Sequence, residues 1–141
     1  MTRFKTAIST FAVFLFLGGA AVAQGLTLTI DNIRNNKGKI VVLVFDSAKG
    51  FDNLDENLAI DYAEAQAKKG GLRITFPALT GGPYAAFLFH DENGDYDVNH
   101  RGGRLLEGIG ATGVQSEESM PGFAEASVNA GKVRVRMYYQ D

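Results

Sequence analysis

The chain of 141 residues contains no cysteine and no tryptophan, three prolines, and only two histidines, His90 and His100. The missing thiols exclude a disulfide framework, a cysteine nucleophile and a thiolate metal site. With so few imidazoles, zinc is a poor fit to any metal site here. The fold must be held by its core alone, or by its core and a cation. Serines at 47, 116, 119 and 127 lack a G-x-S-x-G elbow, so nothing supports a nucleophilic triad. No basic run is dense enough to track a nucleic-acid backbone. After residue 23 no apolar run approaches the roughly 20 residues that span a bilayer.

The N-terminus is where a short apolar run does occur. Arg3 and Lys5 precede an apolar stretch, Ala7 to Leu17, broken by Ser9 and Thr10. Ala21-Val22-Ala23 then places small residues where a signal peptidase reads them. This pattern predicts a secretory signal peptide over 1–23, cut after Ala23, and a periplasmic or secreted product. The run is too short for a membrane anchor, and no cysteine follows to carry a lipid. Removing Arg3 and Lys5 leaves twelve basic residues against sixteen acidic ones, a net charge of −4. The remaining segment, 24–141, is long enough for one domain with its own core.

The pattern along that segment is strand-like. "LTLTI" (26–30) and "LRITF" (72–76) alternate apolar and polar residues. "IVVLVF" (40–45) and "YAAFLF" (84–89) are continuous apolar runs, expected to be buried on both faces. "KVRVRMYY" (132–139) sets Val133, Val135, Met137 and Tyr139 against Lys132, Arg134 and Arg136. "LAIDYAEAQAKK" (58–69) has helix-forming composition but alternates through Ala63, Ala65 and Ala67, which favours a strand. "NNKGK" (35–39) and "TGGP" (80–83) are turns, and "DSAKGFDNLDEN" (46–57) reads as a loop. Short strands, glycine-rich turns and no long helix predict an all-β, antiparallel β-sandwich.

The densest chemistry lies in "FLFHDENGDYDVNH" (87–100). Asp91, Asn93, Asp95, Asp97 and Asn99 occupy alternate positions, so a tight loop could aim several oxygens at one point. Calcium takes six to eight oxygen ligands, and carboxylates and amide carbonyls suit it. Magnesium prefers to keep its waters. Without a cation the three aspartates would repel one another. The spacing matches an EF-hand loop at its first, third, fifth and seventh positions. It departs where Tyr96 replaces the loop glycine and Gly102 the bidentate glutamate. Glu107 could add a carboxylate if the chain folds back. The alternative is a polar surface turn, since Asp, Asn and Gly are ordinary turn residues.

Other groups have plainer readings. His90, ending an apolar run, fits packing at a sheet edge. "RGGRLLEGIG" (101–110) is not a phosphate-binding glycine pattern, and Arg101 and Arg104 fit pairing with the acidic loop or solvation. Phe51, Tyr84, Phe123, Tyr138 and Tyr139 could line a ligand face but are more often core residues.

The order of "VVLVFDSAKGF", "FPALTGGPYAAFLFHDENGDYD", "EGIGATG", "MPGFAEASV" and "VRVRMYY" resembles the bacterial exported proteins of the domain-of-unknown-function 2141 family. The resemblance implies an exported β-sandwich of immunoglobulin-like or transthyretin-like type, and it brings no activity with it. The acidic loop is also similar to the D-x-N-x-D-G calcium loops of B-type repeats in bacterial surface proteins. By position Asp91, Asn93, Asp95 and Asp97 match that pattern, with the glycine displaced to Gly94. The expected function is a non-enzymatic module of the cell envelope, with calcium as its possible ion and an envelope protein or glycan as its partner. The alternative is a metal-dependent enzyme using the same loop, with His90 or His100 as base.

Overall fold

A computed structural model describes residues 23–113 and 119–140. The leader expected over 1–23 lies outside these residues apart from Ala23, and Ser116 lies outside them as well. Among the described residues, nine strands form two main sheets and one small hairpin. The first sheet has the order β4-β1-β9, from β1 (Leu26–Ile33), β4 (Gly70–Phe76) and β9 (Gly131–Arg136). The second has the order β3-β2-β5-β8, from β2 (Lys39–Phe45), β3 (Asp61–Gln66), β5 (Ala85–Asp91) and β8 (Ile109–Ala111). β6 (His100–Arg101) and β7 (Arg104–Leu105) make the hairpin. No helix among the described residues is long and apolar enough to cross a membrane.

The sheets face each other as an all-β sandwich. Leu26, Leu28 and Ile30 of β1, with Ile74, Phe76, Val135 and Met137, pack on Ile40, Val42, Val44, Ala86 and Leu88. The alternation read in β1 and β9 is therefore the division between core and solvent. The β3 alanines at 63 and 65 pack against this core, as the strand reading requires. Among the described strands all pairings are antiparallel except one: β1 and β9 run parallel, with Leu28 opposite Val133 and Ile30 opposite Val135. Strand direction leaves no trace in a period-two pattern, because both directions bury the same residues.

The central strands of the second sheet, β2 and β5, are covered on both faces, which explains their continuous apolar runs, while the outer face of the edge strand β3 is exposed. Its outer face carries Val41, Phe45, Phe87 and Phe89 under two short helices, α1 (Ala48–Asp52) and α2 (Phe123–Ala126). The segment 46–57, expected as a loop, thus holds α1 and a 3-10 turn, Glu56–Leu58. Ser47 caps α1, its hydroxyl accepting from the Gly50 amide at 3.3 Å. Five residues are too few to show a helical period, so the sequence carries the cap but not the helix. Phe51 is buried, edge-on to Phe45 and Phe123. Tyr84 and Tyr139 pack on the inner core, so these aromatics fill the fold.

Candidate metal centre

β5 runs past residue 89, so His90 and Asp91 are strand residues, both fully buried. Neighbours on a strand point to opposite faces. His90 therefore shares the inner side with Ala86 and Leu88, and Asp91 the outer side with Phe87 and Phe89. β5 lies between β2 and β8, which places His90 inside the sheet rather than at its edge.

Asp91 organises the loop that follows. Its Oδ1 accepts from the amides of Gly94 and Asp95 at 2.8 and 3.1 Å, and its Oδ2 from the amide of Tyr96 at 3.0 Å. Three N–H donors satisfy the buried carboxylate and wind the backbone around it. The winding needs left-handed residues, supplied by Gly94 (φ 77°) and Tyr96 (φ 60°). Tyr96 thus makes the bend that a glycine makes in an EF-hand loop, at a cost of about 1–2 kcal/mol for its Cβ. Its ring is held beneath the Lys39 ammonium, 3.8 Å from the ring centroid, and Lys39 also bonds the Tyr96 hydroxyl.

Asp95 stands at the mouth. Its Oδ2 accepts from the side-chain amides of Asn93 and Asn99, each at 2.9 Å, and its Oδ1 from the Asp97 amide at 3.0 Å. These donors, Asn99 first, hold its carboxyl below the usual range. Asp97 turns to its own backbone, accepting from the Val98 amide at 2.8 Å.

The third carboxylate arrives from downstream. The β6–β7 hairpin turns on Gly102 and Gly103, both at positive φ (59° and 78°) as its two-residue turn requires. The chain returns, and Glu107 enters the base of the loop, 4% exposed. Its Oε1 accepts from the Glu92 amide at 3.0 Å and its Oε2 from the Asn99 amide at 3.3 Å. Burial pushes its carboxyl up, assisted by the charges of Asp91 and Asp95. One oxygen from each of Asp91, Asp95 and Glu107 lies within 4.8 Å of the others. Asn93 and Asn99 line an adjoining open concavity of about 410 Å3, with His100 and Arg101 on its hairpin side. Arg101 and Arg104 are exposed and form no ion pair among the described residues.

The donor set suits a hard cation. Three carboxylates supply charge and oxygen, and rotation of the Asn93 and Asn99 amides would turn oxygens in place of nitrogens toward the mouth. Of the residues expected from spacing, Asp91, Asn93, Asp95 and Asn99 meet here. Asp97 is outside the trio, and Glu107 is in it.

A second polar layer supports the loop from below. Arg34 grips Glu92 with two bonds, Nε to Oε1 at 2.6 Å and Nη2 to Oε2 at 3.0 Å, and also bonds the Leu106 carbonyl. The guanidinium holds the Glu92 carboxyl below its usual range. His90 is engaged at both ring nitrogens, Nε2 with the Lys37 carbonyl at 2.7 Å and Nδ1 with the Tyr139 hydroxyl at 2.9 Å. A carbonyl only accepts, so Nε2 carries the proton.

The glycines of "EGIG" have their explanation here. A Cβ at Gly108 would lie 2.3 Å from the Tyr139 ring, and one at Gly110 3.0 Å from the Arg136 carbonyl oxygen. Acidic loop, double-glycine hairpin, buried glutamate and close-packed glycines follow in sequence as one unit. A family model described as an uncharacterized protein conserved in bacteria, DUF2141, matches residues 28–137. The chain belongs to this family. The DUF2141 match runs from the second residue past the start of β1 to the first past the end of β9, so it takes in both sheets and the whole centre. No curated protein matches the chain, and no solved structure does.

Proposed function

We propose that this chain is an exported, non-enzymatic module of the cell envelope whose acidic loop binds a calcium ion. The convergence of Asp91, Asp95 and buried Glu107 carries the reading. Three carboxylates from two chain segments would repel one another in the absence of a cation. A calcium ion bridging them would tie β5 to the segment that enters β8 and brace that end of the sandwich. The signal-peptide pattern of residues 1–23 supports export, and an envelope protein or glycan is the partner that location offers. The full occupation of His90 favours a structural ion over a catalytic one, because a general base needs a free lone pair within reach of a proton.

The test is thermal unfolding in excess EDTA, then with calcium, with magnesium as control. A ligand that binds only the folded state adds about 2.7 kcal/mol at a hundredfold excess over Kd, a shift of several degrees for a domain of this size. The expected result is a calcium-specific rise in Tm that disappears in Asp95→Ala. A Tm indifferent to calcium overturns the reading.

A further inference from the structure

The outward face of the first sheet carries a concentration of positive charge that the folding core does not use. Strand alternation sends Thr27, Thr29 and Asp31 of β1 outward, Arg73 and Thr75 of β4, and Lys132, Arg134 and Arg136 of β9. Arg73 and Arg134 flank Thr29 in one register row. Lys132 and Thr75 flank Thr27, and Arg136 stands beside Asp31. These strands place four cations and one anion on a single face, in a chain whose net charge is −2. Asp31 does not neutralise it: its carboxylate lies 3.9 Å from Arg134 and 3.8 Å from Arg136, whose side chains remain 79% and 56% exposed.

We propose that this face docks on an anionic lipid bilayer. Neighbouring strands lie about 4.8 Å apart, so Arg73 and Arg134 stand about 10 Å apart across the sheet. Lys132 to Arg136 covers about 13 Å along β9. The charges thus form a plane rather than a track, which fits a plane of headgroups better than a single polyanionic chain. Guanidinium forks match phosphate oxygens, and threonine hydroxyls between them add donors. The outward positions are threonine, charged residues and Gly71, with no large apolar side chain to enter hydrocarbon. Contact is therefore peripheral and governed by charge. The acidic loop belongs to the other sheet, so this docking is independent of the calcium reading.

Sedimentation of the exported product, residues 24–141, with vesicles tests the proposal. The probes are phosphatidylcholine vesicles and phosphatidylcholine vesicles containing one third phosphatidylglycerol. Binding is expected only to the anionic vesicles and should weaken as salt screens the surface. Each basic residue near such a surface is worth about 1 kcal/mol, or about fivefold in partitioning. The variant Arg73→Gln/Lys132→Gln/Arg134→Gln/Arg136→Gln should lose on the order of several hundredfold. A control variant, Lys49→Gln/Arg104→Gln, removes exposed cations elsewhere and should bind like the parent. All three proteins lack the apolar leader, so the difference reports the sheet face alone. Equal binding by the fourfold variant, equal binding to neutral vesicles, or no binding to anionic vesicles each overturns the proposal. So does retention on dextran sulfate without vesicle binding, which would assign the face to a soluble polyanion.

Discussion

The backbones of Ile109 and Tyr138 exchange two hydrogen bonds, N–H to carbonyl at 2.9 Å and 2.8 Å in the two directions. Tyr138 lies just beyond β9 of the first sheet, and Ile109 opens β8 of the second. The bridge joins the sheets along one side of the sandwich. It also lies two residues from Glu107, so the closing of the fold and the placing of the third carboxylate are one structural event.

Gly108→Ala should strain that event directly. The added methyl would meet the Tyr139 ring at 2.3 to 2.8 Å. Ring and β8 must separate, at a cost of about 1–3 kcal/mol. Urea unfolding should show the loss, and calcium affinity should fall with it because Glu107 is adjacent. A variant as stable as the parent would mean that the tyrosine relocates freely.

Tyr139→Phe removes one hydroxyl from a relay. The Arg34 amide donates to it at 3.2 Å, and His90 Nδ1 is bonded to it at 2.9 Å. The ring can still pack, but the buried imidazole keeps a nitrogen without a partner. The expected loss is about 1–3 kcal/mol by denaturant titration. A neutral result would show that water takes the place of the hydroxyl.

Phe51→Ala tests whether the outer face is a second core rather than a ligand platform. Phe51 is 2% exposed, and its ring meets Phe45 at 6.0 Å and Phe123 at 6.4 Å between centroids. Truncation should cost about 3–5 kcal/mol. A small loss would return α1 to the status of a surface loop.

Much of the fold is legible in the chain because burial has a period. Leu26, Leu28 and Ile30 alternate since β1 has one wet face, while residues 40–45 and 85–89 do not alternate since helices cover their outer side. α1 shows no period in the sequence because five residues hold barely one turn. The parallel pairing of β9 is not legible in the sequence because register and direction are decided between distant segments. The candidate centre divides in the same way. Asp91, Asn93, Asp95 and Asn99 are readable from their spacing, but with Tyr96 in the left-handed region Asp97 leaves the series and turns to Val98. Glu107 is far in sequence and near in space because Gly102-Gly103 reverses the chain. Gly-Gly between short strands was the available signal for that reversal.

Glu107 should also leave a mark on the pH dependence of stability. Its carboxyl is pushed up in the folded protein by burial first, then by Asp91 and Asp95. A raised folded value favours the protonated form, so this contribution is complete below the unfolded value, about 4.3. It is lost as pH rises through the folded value. In EDTA, wild type should therefore lose stability between acid and neutral pH more steeply than Glu107→Gln, since glutamine carries no charge and the acceptor it lacks toward one of the two backbone amides costs the same at every pH. Calcium should stabilise wild type alone at neutral pH by compensating its carboxylate. Paired chemical-denaturation curves across the pH range, with and without calcium, measure both effects. Parallel curves for the two proteins in EDTA would show that the glutamate is ionised at no cost, and the case for a cation among these three carboxylates would lose its electrostatic basis.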